Sequence, residues 1–76
     1  MTEPGARVRE VRQRVGMTQV ELSRRTGIQQ SLIANIEAGR RRMSLAHARA
    51  IARALGVSID FLASTFEDSE ERAAVA

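Results

Sequence analysis

Cysteine, lysine, tryptophan and tyrosine are absent from this 76-residue sequence, which holds one proline, one histidine and two aromatic residues, Phe61 and Phe66. Without cysteine there is no disulfide framework, no thiol nucleophile and no thiolate metal site. The lone histidine, His47, cannot build a structural metal site by itself and is expected at the surface or in edge packing. No nucleophile beside a base, no metal-ligand cluster and no phosphate-binding loop stands anywhere in the chain, so an enzyme is not expected and no cofactor is implied. No apolar run approaches the roughly 20 residues that span a membrane, and Met1 to Gly5 lacks the apolar core of a signal peptide. A cytoplasmic protein without a membrane partner is the expectation.

Sustained period-two alternation is also missing, which leaves an all-α fold as the economical reading. At this length the chain can close one hydrophobic core, with a stability of roughly 4 to 11 kcal/mol, so a charge on an apolar stripe needs a partner. The expected organisation is one domain over residues 1–65 and an acidic, flexible tail over 66–76. The charge is divided in the same way. Residues 1–65 carry eleven arginines against five acids, a net +6, whereas 66–76 carry four acids against Arg72, a net −3. A basic body suits an anionic partner such as nucleic acid, although such a balance also fits an ordinary soluble surface.

Glycines at 5, 16, 27, 39 and 56 fall between periodic segments and divide the chain into short helices. A first helix over about residues 6–15 places Val8, Val11 and Val15 on one stripe, with Arg12 on that same stripe. The second opens with Thr18, Gln19, Val20 and Glu21, the spacing of a capping box, and turns Leu22 inward as it runs to about Thr26. A third, over about residues 30–38, turns Leu32, Ile33, Ile36 and Glu37 to one side and Gln30, Ser31, Ala34, Asn35 and Ala38 to the other. Ser44 caps a fourth that runs to Leu55 and buries Leu45, Ala48, Ile51, Ala52 and Leu55. Ser58 caps a short fifth through Ile59, Phe61 and Leu62. A compact five-helix bundle is therefore expected.

Two short helices joined by a glycine turn, the second with an outer face of small uncharged residues, have the geometry that enters a major groove. Short neutral side chains let a helix approach base edges without burying unpaired charge. Gln and Asn can each pair bidentately with adenine, which marks Gln30 and Asn35 as base readers. Gln29 is placed at the N-cap within reach of a base or a phosphate, Ser31 shares the reading face, and Ala34 can meet a thymine methyl. Phosphate contacts are expected from Thr18 and Gln19, at the positive end of the second helix, and from Arg40, Arg41 and Arg42, which follow the third. Arg12 and Glu37 have opposite charge and both lie on inward stripes, so they are expected to pair. The plainer alternatives are a neutral helix surface, a solvated arginine loop and charges that reach solvent separately.

The residues Val11-Arg12, Met17-Thr18-Gln19, Glu21-Leu22, Gly27-Ile28, Ser31, Ile33, Ile36-Glu37, Gly39, Ala52, Leu55-Gly56-Val57 and Phe61-Leu62 resemble the lambda-repressor/Cro (XRE-type) helix-turn-helix family over about residues 6–63. The resemblance implies a five-helix, usually dimeric domain that binds inverted-repeat operators. It implies phosphate binding at Gln19, Arg41 and Arg42, base reading at Gln30, Ser31 and Asn35, and an Arg12–Glu37 ion pair. Two positions depart from the family pattern: Ser23 replaces a usual Ala, and Gln29 a usual Ser or Thr cap. One recognition helix reads few base pairs, so a homodimer is expected, with Val57, Ile59, Phe61 and Phe66 as candidate interface residues. The expected function is a sequence-specific repressor or controller of transcription. The alternatives are an antitoxin-type regulator that also binds a protein partner, and a helical protein-binding module that does not bind DNA.

Overall fold

In the computed structural model of the chain, the described residues are 4–62. They form four helices, α1 (Pro4–Arg14), α2 (Gln19–Thr26), α3 (Gln30–Glu37) and α4 (Leu45–Leu55). Residues 59–62 are helical as well and form a short fifth helical segment. No strand occurs among the described residues. The expected acidic tail, 66–76, with Phe66 at its start, lies outside them.

The helix ends are set by local chemistry. Pro4 opens α1, where its missing N–H and fixed φ fit the first helical position. The Thr18 hydroxyl caps α2 by accepting from the Glu21 amide at 3.0 Å. Only that half of the expected capping box forms. The Glu21 carboxylate instead accepts from Arg25 Nε at 2.8 Å and lies 3.9 Å from Arg24, so the Arg25 hydrogen bond holds its carboxyl below the usual range. That contribution is present above the ordinary carboxylate pKa and fades as acid protonates Glu21. Ser44 caps α4 by accepting from the His47 amide at 3.1 Å, and Ser58 caps the fifth helix through the Phe61 amide at 3.1 Å. The His47 ring is half-buried, and its Nδ1 has no hydrogen-bond partner among the described residues.

Val8, Leu22, Ile33, Ile36, Ile51 and Leu62 are fully buried. Val11, Ile28, Ala52 and Leu55 complete the main core around most of them. At about 1.5–3 kcal/mol for each large apolar side chain removed from water, this core is the principal force holding the helices together. α3 packs on α1 and α2, and α4 closes the opposite side against α2 and α1. Two expected core members face solvent. Val15 is 52% exposed because α1 ends at Arg14 and the chain turns at Gly16, which takes Val15 off the helical stripe. Leu45 is 60% exposed because the buried face of α4 starts at Ala48.

Gly5 does not separate segments as expected; it lies in the first turn of α1 and is buried. A Cβ added there would overlap the Ile36 carbonyl oxygen. The absent side chain lets the N-terminus of α1 touch the C-terminal turn of α3, which brings opposite ends of two helix dipoles together.

Candidate nucleic-acid interface

The scaffold beneath α3 is an ion pair joining the first helix to the third. Arg12 donates from Nε to Glu37 Oε2 at 2.7 Å and from Nη2 to Glu37 Oε1 at 2.9 Å, a bidentate arrangement. Both residues are buried, with 8% and 7% of their surface exposed. Glu37 is the last residue of α3, where the helix dipole disfavours an anion unless a cation neutralises it. Hydrogen bonding to Glu37 raises the Arg12 pKa further above its ordinary value, outweighing the opposing effect of burial, so the guanidinium stays charged.

Two further bonds tie this pair to the start of α2. Arg12 Nη1 donates to the Met17 carbonyl at 2.8 Å, and Gln19 Nε2 donates to Glu37 Oε1 at 3.0 Å. The four groups therefore fix the angle between the N-terminus of α2 and the C-terminus of α3. Sequence spacing identified the pairing of Arg12 with Glu37. It gave no sign of the Gln19 bond, because Gln19 lies 18 positions from Glu37 and carries no charge that requires a partner. The second N–H of the Gln19 amide group and the hydrogen of the Thr18 hydroxyl meet no acceptor among the described residues.

The turn between α2 and α3 is held by side chains. Ser23 Oγ donates to the Ile28 carbonyl at 2.6 Å. Thr26 Oγ1 accepts from the Ile28 amide at 3.1 Å and donates to the Leu22 carbonyl at 2.7 Å. Ser23, the departure from the family's usual Ala, thus supplies a bond that Ala could not.

On α3, Ile33, Ile36 and Glu37 are buried, Ser31, Ala34 and Asn35 lie on the other side of the helix, and Gln30, seven positions before Glu37 and so nearly in line with it, is exposed in the first turn. Gln29, Gln30 and Ser31 are exposed, and their side chains make no hydrogen bond to the protein among the described residues. Gln29 occupies the N-cap position without a side-chain capping bond, so its amide group projects free of the helix. Ala34 and Asn35 are half-buried.

Beyond the C-cap Ala38 the chain turns at Gly39, whose φ of +81° is the left-handed conformation that glycine adopts without strain. The turn is closed by Gly39 N–H to the Ile36 carbonyl at 3.1 Å and Arg40 N–H to the Asn35 carbonyl at 2.9 Å, with Arg41 N–H on that same carbonyl at 3.2 Å. Arg40, Arg41 and Arg42 are exposed immediately beyond. Arg40 Nη1 also reaches the Asn35 side-chain Oδ1 at 3.4 Å, a contact that residue spacing does not announce.

The candidate dimer residues are less uniformly exposed. Val57 and Ile59 are half-buried and pack against the chain's own core. Phe61 is exposed, with the Arg7 guanidinium 4.9 Å above its ring centroid. Phe66 lies outside the described residues. Among the described residues no cluster of side chains could hold a metal ion, and no helix is long and apolar enough to cross a membrane.

Comparison with known proteins agrees with this geometry. The family described as Helix-turn-helix matches residues 8–62, most of the chain. Curated protein sequences gave no match. Among solved structures, the restriction-modification controller protein C.AhdI from Aeromonas hydrophila is similar, with a TM-score of 0.75 and 32% sequence identity over 78% of this chain and 89% of that one. With its buried ion pair, glycine-turned second and third helices and neutral outward face, the chain belongs to the XRE-type helix-turn-helix family of DNA-binding transcriptional regulators.

Proposed function

We propose that the chain is a sequence-specific repressor or controller that binds an inverted-repeat operator as a homodimer, acting in the cytoplasm by binding rather than by catalysis. α3 lies in the major groove. Gln30, Ser31 and Asn35 address base edges, Ala34 meets a thymine methyl, and Gln29 reaches a base or the adjoining backbone. Thr18, Gln19 and the free amides at the start of α2 hold one phosphate, while the arginines from 40 to 42 engage the backbone beside the groove.

The observation that carries this reading is the contrast between the two sides of α3. Its inner side is locked by buried Ile33, Ile36 and the Arg12–Glu37 pair, while the polar groups of Gln29, Gln30 and Ser31 find no partner among the described residues. Rigid placement of unsatisfied, uncharged donors and acceptors suits recognition of base edges. The likeness to a restriction-modification controller protein supports a controller role. Phe61, together with the exposed parts of Val57 and Ile59 and with Phe66, supplies the apolar surface for the second copy.

Selection of bound sites from random duplex DNA by the purified full chain tests the proposal. The expected product is an inverted repeat whose half-sites are centred one helical turn, about 34 Å, or a multiple of it apart. Recovery of unrelated sequences with no common half-site would contradict base reading. A single unrepeated half-site would contradict the dimer.

A further inference from the structure

The geometry points to Arg40, Arg41 and Arg42 as a docking surface for the chain's own acidic segment, Glu67, Asp68, Glu70 and Glu71, which competes there with the phosphates of DNA. This inference rests on the phosphate role proposed for those arginines. The three consecutive cations are exposed beyond α3, and none forms an ion pair among the described residues. Arg40 Nη1 meets Asn35 Oδ1 at 3.4 Å, a neutral amide that leaves the charge unbalanced. Glu37, Glu21 and Glu10 are engaged elsewhere, on Arg12, on Arg24 and Arg25, and on Arg14. The other exposed arginines without an ion pair among the described residues, Arg9, Arg49 and Arg53, stand singly or a helical turn apart. Only at 40 to 42 are three such charges contiguous, so an anionic segment gains most there.

The fold brings the start of the acidic segment to the same end of the bundle. Leu62, fully buried, fixes the point of departure, and its neighbour Phe61 has the Arg7 guanidinium 4.9 Å from its ring centroid. Arg7 is two residues along α1 from Gly5, where that helix meets the Ile36 carbonyl. The Ile36 and Asn35 carbonyls in turn accept the amides of Gly39 and Arg40, at the base of the arginine run. Glu67 to Glu71 stand five to nine residues past Leu62. At about 3.3 Å per residue that is a reach of up to roughly 17 to 30 Å, so the acids can meet the guanidinium groups with no helix displaced. The net −3 of residues 66–76 matches the three arginines in magnitude. Carboxylates and phosphates use the same bidentate fork of a guanidinium, so one excludes the other. Such competition lowers affinity for operator and unrelated duplex by one factor and leaves base discrimination by α3 unchanged.

The test uses the full chain carrying Glu67→Gln, Asp68→Asn, Glu70→Gln and Glu71→Gln together. At low salt this variant is expected to bind operator and unrelated duplex about fivefold or more tighter than the wild-type chain, with the ratio between the two DNAs unchanged. The advantage shrinks as salt rises and screens the acidic segment. On a background of Arg40→Gln, Arg41→Gln and Arg42→Gln, the same four changes are expected to alter affinity by less than about twofold. An equal gain on both backgrounds is the mark of long-range charge without docking and would overturn the inference. Docking itself is read without DNA, from a nitroxide attached at Ser69→Cys, the single thiol in a chain that has no cysteine. It is expected to broaden the amide signals of Arg40, Arg41 and Arg42 at low salt and to leave them sharp at high salt. Broadening centred on Arg49 and Arg53, or spread evenly over the basic surface, would overturn the docking. So would broadening in a mixed sample whose isotope-labelled chains carry no nitroxide, which would assign the segment to a second copy. Absence of DNA binding with the broadening intact would instead overturn the phosphate role of the arginines.

Discussion

Truncation of Glu37 isolates the residue on which the placement of α3 most depends. Replacing it with Ala leaves the Arg12 guanidinium buried with the Met17 carbonyl as its one remaining partner among the described residues, and also strips Gln19 of its acceptor. Glu37→Ala is expected to cost about 3–5 kcal/mol in a denaturant melt, as for other buried pairs broken on one side. A loss below about 0.5 kcal/mol would show that the pair does not hold the fold together. At this scale the sequence was informative where physics allowed one solution. Arg12 and Glu37 were the charges placed on inward stripes, and each needed the other. It was uninformative where several solutions cost about the same. Whether Glu21 reaches back to Thr18 or sideways to Arg25 is a choice between exposed bonds of similar strength, and the structure shows the second.

At the scale of helices, the position of α3 depends on close approaches that leave little trace in hydrophobic periodicity. Gly5 reads in sequence as a break between segments, yet its role is to let α1 abut the Ile36 carbonyl. Adding a methyl group must push α1 away from backbone that the Arg12–Glu37 pair and the Gly39 turn hold in place. Gly5→Ala is expected to destabilise the chain by about 1–3 kcal/mol despite alanine's better helix propensity, and so to lower the thermal midpoint by several degrees. An unchanged midpoint would mean that the two helices can separate freely. Helix identity and order were legible because Val8, Val11, Ile33, Ile36, Ile51 and Leu55 recur at helical spacing. The ends were less so. Val15 and Leu45 continue the apolar pattern of their helices by one position beyond the buried face, and only the turns at Gly16 and Ser44 decide that they point outward.

For the whole molecule, the proposed function assigns affinity for DNA to a basic body and selectivity to the neutral face of α3, and these two terms respond differently to salt and to sequence. Arginine contacts to phosphates act on every duplex and weaken as salt rises, by about 0.9 log units per contact for each log unit of salt. Contacts from Gln30 and its neighbours act only on the right bases. The direct measurement is the affinity of wild-type and Gln30→Ala chains for the selected operator and for unrelated DNA across a salt series. Gln30 is exposed and bonds to no other residue among those described, so its removal leaves the scaffold intact. The expected result is a loss of operator affinity of about fivefold to a hundredfold, with binding to unrelated DNA and both salt slopes unchanged. Equal weakening on both DNAs, or no change on either, would contradict the assignment of the α3 outer face as the surface that reads the operator.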